Sequence, residues 1–268
     1  MTRTFLFAAF IQALALSFAA GAAVALDGRI ELDGVELVLK LGDGRALRRE
    51  QLVGLSLTLA SPDGEAEVRI DAFDEDRPKV GDPLPLYRMS VSDPGTRERR
   101  DLCEADPDNR RTAFAFPDGK GGFGLTCTSG AEGKCILFGY HPWEKRDGVP
   151  MRDLHRACMH MLRADYGGDD RPTTRNGIKI NLYDRFGIQS VDPAPGMRFE
   201  AAWGPDGAVC VAHPRIADNV TLEELASRYP RLRGRLGPQA CYEAAVRSDP
   251  AALIFNQSTV TWRSKESR

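Results

Sequence analysis

The sequence predicts an α+β fold: an antiparallel, β-rich N-terminal region, then a mixed half with one central helix and short strands, the whole disulfide-bonded. Three observations carry this. Asp-Gly turns punctuate alternating apolar runs up to about residue 116. A single strong helical stripe begins at Met151, and six cysteines are spread from Cys103 to Cys241. Two-residue alternation buries one face of a strand, a 3.6-residue recurrence buries one face of a helix, and an even cysteine count reads as crosslinks.

In chain order, residues 1–25 have the three parts of a secretory signal peptide: Arg3, a charge-free run from Phe5 to Ala25, and the small-x-small end Ala23-Val24-Ala25, with Ala20-Gly21-Ala22 as a second cleavage position. A run of this length could also span a bilayer as an anchor, but its small-residue end and the absence of a following positive cluster favour cleavage near Ala25. No cysteine precedes Cys103, which excludes a lipid-modified cysteine there. The expectation is an exported periplasmic or secreted protein without a stable membrane anchor.

Losing Arg3 from the 36 basic residues leaves 35 against 38 acidic ones, a near-neutral balance. That gives no electrostatic footprint for nucleic acid or an anionic membrane. The densest basic run, Arg228, Arg231, Arg233 and Arg235, reads as a solvated face.

The predicted N-terminal region, 26–116, contains strands at Arg29–Leu32, Val35–Leu41, Leu52–Leu59, Ala66–Ala72 and Tyr87–Val91. Asp33-Gly34, Asp43-Gly44 and Asp63-Gly64 form the turns. The acidic stretch Asp71–Leu84 and the charged stretch Asp93–Arg111 read as loops, the second tied down by Cys103. Region 117–268 opens with a glycine run from Gly119 to Gly124 that lacks the lysine and register of a phosphate cradle and reads as a hairpin loop. Cys127 and Cys135 bracket a Ser-Gly-Ala-Glu-Gly turn and are the best candidate disulfide, with Cys103, Cys158, Cys210 and Cys241 supplying up to two more.

A helix is predicted from Met151 to about Tyr166, its apolar stripe Leu154, Ala157, Cys158, Met161 and Leu162, its left-handed cap at Gly167. Strands follow at Ile178–Tyr183, Phe199–Trp203 and Ala208–Ala212, then a helix at Leu222–Tyr229 begun by a Thr221/Glu224 capping box, and another at Ala240–Val246.

Arg163-Ala164-Asp165-Tyr166-Gly167, with Thr174-Arg175-Asn176-Gly177 and Tyr183-Asp184 behind it, resembles the ADYC domain family of exported bacterial proteins, named for an Ala-Asp-Tyr-Cys signature. Further resemblance lies in Thr126-Cys127, Lys134-Cys135, Gly139-Tyr140, Pro142-Trp143, Ala157-Cys158, Phe199-Glu200-Ala201-Ala202-Trp203 and Gly207-Ala208-Val209-Cys210. It implies no particular activity. The signature cysteine is Gly167 here, so a nucleophilic thiol at that position is excluded, and Thr173 stands where the family pattern has histidine. The family also carries a Cys-Pro near Tyr229-Pro230, which implies that Gly167 and Tyr229 are spatial neighbours.

Candidate chemistry centres on Asp165, His155 and Arg175, with His160, Asp169, Asp170 and Asp184 nearby in sequence. One function is a non-catalytic periplasmic or extracellular binding module whose helix–loop face around Arg163–Asp184 meets a protein or glycan. The alternative is a hydrolase-like enzyme using Asp165 with a histidine. Asp165 would otherwise serve structure, compensated by Arg163 or Arg175. No metal or cofactor is expected: the three aspartates lack the alternation of a calcium loop, and His155 with Cys158 supplies only two donors for zinc. His141 and His213, each before a proline, read as turn residues. Gly-x-Ser-x-Gly and His-Glu-x-x-His motifs are absent.

Overall fold

The computed structural model describes residues 28–260 except 62–63, 78–82, 94–95, 97, 120–121 and 193. The predicted signal peptide lies outside the described residues.

The chain opens with a three-stranded antiparallel sheet, β1 (Gly28–Asp33), β2 (Glu36–Leu41) and β3 (Ala46–Arg48), in the order β1-β2-β3. Gly34 and Gly44 sit in its turns with φ of 66° and 87°, backbone that an L side chain resists. A short 3₁₀ turn over Arg49–Leu52 leads to a second sheet of β4 (Ser56–Ser61), β5 (Gly64–Asp76), β6 (Leu84–Ser92), β7 (Arg99–Asp101), β8 (Thr112–Pro117) and β9 (Phe123–Cys127). Its order is β4-β5-β6-β8-β9, with β7 also on β6. The sheet therefore continues past residue 116 and closes with the β8–β9 hairpin. Leu37, Leu39, Leu52, Val68, Ile70, Tyr87 and Met89 form the core between the two sheets.

Residues Asp71 to Asp76, expected in a loop, belong to β5. Arginines explain it: Glu75 pairs with Arg49 at 3.4 Å and Arg77 at 3.1 Å, and Asp76 with Arg110 at 2.8 Å, so an acidic strand end is neutralised from neighbouring segments.

The predicted Cys127–Cys135 bridge is not formed. The pairs are Cys103–Cys127, Cys135–Cys158 and Cys210–Cys241, with Cα separations of 5.5, 5.8 and 5.6 Å, and no described cysteine is free. The segment after Cys127 is not a hairpin turn but the start of α1 (Ala131–Leu137). Gly133 packs so tightly on the Cys127 carbonyl that a Cβ there would lie 2.1 Å from its oxygen. Cys135, inside this helix, meets α2 (Met151–Arg163) instead. Cys103 ties the charged loop to β9, as the sequence predicted for that loop.

The second half is a four-stranded antiparallel sheet of β10 (Ile180–Asp184), β11 (Met197–Gly204), β12 (Gly207–Val211) and, last in the chain, β13 (Ile254–Thr259), ordered β10-β13-β11-β12. Leu154, Ala157, Cys158 and Met161 of α2 bury against Ala201, Trp203, Ala208 and Val211. Before β13 come α3 (Leu222–Arg228) and the short α4 (Glu243–Val246). The Thr221/Glu224 capping box at α3 is present. Cys210–Cys241 helps close the opposite face, where Tyr183, Ala202, Val246 and Phe255 pack together.

Candidate functional site

The signature sits at the end of α2, and the helix stops three residues before the predicted end at Tyr166. Ala164, not Gly167, takes the left-handed cap, with φ of 47° and its N–H bonded to the Met161 and His160 carbonyls. Arg215 makes this stop possible. Its guanidinium donates to the Met161 carbonyl at 2.7 Å and the Leu162 carbonyl at 3.0 Å, adding side-chain donors to the carbonyls of the last helical turn. Gly168 has φ of 69° and lies so near Asp206 that a Cβ would approach its carbonyl oxygen to 2.3 Å.

Asp165 lies just beyond the helix and is completely buried. Its Oδ1 accepts from the N–H of Gly168 at 3.0 Å and of Asp169 at 3.3 Å; its Oδ2 accepts from the N–H of Asp170 at 3.0 Å. His160 Nδ1 is 3.1 Å from the same Oδ2. Burial would raise its pKa, but bonds from His160 and the Asp170 and Arg171 backbone hold it below the ordinary aspartate value. Its partner is thus His160 with backbone amides, not Arg163 or Arg175. Arg163 pairs with Asp170 at 2.5 Å, and the exposed Arg175 donates to Asn219 at 3.2 Å.

Tyr166 completes the motif. Its ring stacks on Trp203 with centroids 5.2 Å apart; its hydroxyl donates to Glu200 Oε1 at 3.1 Å and accepts from the Arg215 N–H at 2.8 Å. Glu200 and Arg215 are 0 % and 1 % exposed and form a two-pronged ion pair, both contacts at 3.0 Å. Burial opposes the Glu200 charge, but the guanidinium holds its pKa below the usual glutamate value. Arg231 draws the loop together, donating to the carbonyls of Tyr166, Gly167, Asp206 and Ala208. Tyr229 fills the space beside Gly167: a Cβ there would lie 2.2 Å from its ring, the neighbourhood that the resemblance implied.

A histidine-assisted hydrolase would need a free imidazole nitrogen beside a nucleophile. The histidine that Asp165 meets is His160, whose Nε2 is taken by the Pro205 carbonyl at 3.1 Å. His155 lies elsewhere on α2, so His155, Asp165 and Arg175 do not converge. Among the described residues no group of three or more His, Cys, Asp or Glu side chains is placed to hold a metal. Sequence alone assigns Glu200 no role beyond the motif and does not single out Arg215, and Arg231, read there as part of a solvated basic run, instead donates to four backbone carbonyls. The one available signal was Glu200 itself, a lone charge in the apolar run Phe199–Trp203.

A second feature lies in the N-terminal half. An open groove of about 1060 Å³ separates β1 from one face of the larger sheet, with Ile30, Leu32, Val68, Ala113, Phe123 and Leu125 among its walls. β1 and β9 flank it, and among the described residues each is the terminal strand of its sheet, paired on one side only.

Together these features define a β-rich, disulfide-crosslinked scaffold whose most distinctive polar residues are spent on one another. The family model for the ADYC domain matches residues 49–217, and the chain belongs to that family. The match starts well before Thr126, the first residue quoted for the resemblance, and crosses residue 116. No curated protein and no solved structure matches the chain.

Proposed function

We propose that this is an exported, non-catalytic interaction module whose binding seat is the groove between the two N-terminal sheets, and that its occupant is an extended segment of a partner protein. Export rests on the leader pattern of residues 1–25 and on three disulfides, which persist in oxidising compartments. Among the described residues no helix is long and apolar enough to cross a membrane.

The groove carries the proposal. It is an open trough with apolar walls rather than an enclosed chamber, and two edge strands border it. Edge strands offer unpaired backbone N–H and C=O groups, the chemistry by which an extended peptide adds to a sheet. Alternate side chains of such a segment would point at Leu125 and Val68 while its other face meets solvent. A glycan would instead call for several aromatic platforms, and among the described residues Phe123 is the single aromatic one in the walls.

The test is fluorescence polarisation with a labelled octapeptide of alternating valine and threonine. Saturable binding that Leu125→Asp abolishes supports the proposal. No binding, or binding only of an apolar dye such as anilinonaphthalene sulfonate, overturns the peptide assignment.

A further inference from the structure

Cys127 stands apart from the other five cysteines. Cys103, Cys135, Cys158, Cys210 and Cys241 are at most 2 % exposed, whereas Cys127 is only partly buried. It ends β9, and with Phe123 and Leu125 it occupies the alternate positions of that strand that share one face. All three residues line the groove between the N-terminal sheets, and so does Leu102, the chain neighbour of Cys103. The Cys103–Cys127 bridge therefore ties together two segments of the groove wall. The other two bridges lie elsewhere: Cys135–Cys158 is sealed between α1 and α2, and Cys210–Cys241 packs against the opposite face of the C-terminal sheet.

A thiolate opens a disulfide by attacking one of its sulfurs, so access decides which bridge opens and which sulfur is struck. Chain entropy does not rank the three bridges, because they span similar separations of 24, 23 and 31 residues. Access does rank them. Cys127 is approached from the open groove, while Cys103 is covered by the core in which it packs.

We propose that Cys127 is a thiol-exchange site, entered through the groove by an exported dithiol reductant. One thiolate of the dithiol attacks Cys127 Sγ. A new S–S bond forms there as the Cys103–Cys127 bond breaks, and Cys103 leaves as a thiolate that takes up a proton. The second sulfur of the dithiol, once deprotonated, attacks its sister sulfur in the mixed disulfide, and Cys127 is released and protonated in turn. The protein gains two electrons and two protons, and the dithiol becomes a disulfide. Opening the bridge unties Leu102 from the end of β9, so the bridge acts as a redox latch on the binding seat. The latch rests on the groove reading above; the exchange site does not.

The experiment uses the folded full chain at neutral pH without denaturant. Reduced glutathione is the probe, because a monothiol halts at the mixed disulfide, and iodoacetamide traps the thiol that is released. Peptide mapping should find glutathione on Cys127 and the alkyl group on Cys103, with the other four cysteines modified at least about tenfold more slowly. Glutathione on Cys103, another bridge opening first, all three opening together, or none opening would overturn the assignment. The trapped protein should then bind the valine–threonine octapeptide at least about tenfold more weakly than the untreated protein; equal affinity would overturn the latch. An octapeptide that fails to bind the untreated protein is a failure of the groove reading, and the mapping still decides the exchange site.

Discussion

Asp165 shows at the scale of one residue why the signature reads as architecture. Three backbone N–H groups and His160 converge on a carboxylate with no exposure to solvent. Asp165→Asn keeps the shape but turns one acceptor into a donor facing N–H groups, and should cost about 2 kcal/mol in urea unfolding at neutral pH. The pH dependence has a definite sign. The folded pKa lies below the unfolded one, so the stabilisation is full above the ordinary carboxylate range and lost as pH falls through the folded value. Stability plotted against pH should therefore fall less steeply below about pH 4 in the variant than in the wild type; equal slopes would remove Asp165 as a stabilising carboxylate. Arg215→Met strands Glu200 in the core and should cost about 3–5 kcal/mol, much of it recovered when Glu200→Leu is added. A double variant as unstable as the single one would show that helix capping by Arg215, not its charge pairing, dominates.

At the scale of elements, the ledge between α2 and α3 is where a bridge can be added. Gly167 has no positive φ to defend, and what excludes a side chain there is the Tyr229 ring. Gly167→Cys combined with Tyr229→Cys removes that ring and should form a disulfide, raising stability by about 2–4 kcal/mol over the reduced form. Persistent free thiols in the oxidised, folded protein would refute the geometry. Much of this architecture was legible beforehand. Alternation and Asp-Gly turns marked β1 and β2, the apolar stripe marked α2, and Thr221 with Glu224 marked α3. What escaped was set by distant partners. β13, beside both β10 and β11 in its sheet, reads Ile-Phe-Asn-Gln-Ser-Thr with no alternation, because Asn256 is buried to accept the Trp203 indole N–H at 2.8 Å. α1 was hidden by Gly133, whose missing side chain the close Cys127 carbonyl requires, and by Gly130 just before it. The candidate site was legible as a place but not as a role. Asp165 stood out locally, whereas its neighbours Glu200, Arg215 and Arg231 come from 35 to 66 positions further along.

At the scale of the whole molecule, the two halves divide the labour. The C-terminal half spends its charged and aromatic signature residues on holding α2 against its sheet, with His160, Glu200, Arg215 and Arg231 all engaged internally. The N-terminal half leaves apolar side chains lining an open groove between β1 and β9, the seat proposed above for an extended partner segment. Substitutions in the signature should therefore lower stability without altering the groove's affinity in the protein that remains folded, while substitutions in the groove should do the reverse. Leu125 suits the second test because it is only partly buried, so a charge there can reach water without unfolding β9. The measurement that bears most directly on this account is the equilibrium dissociation constant of the alternating valine–threonine octapeptide for wild type and for Leu125→Asp, with melting temperatures recorded alongside. Binding at least about tenfold weaker in the variant, at a nearly unchanged melting temperature, is the expected result; equal affinity in the two folded proteins would rule out the groove as the seat.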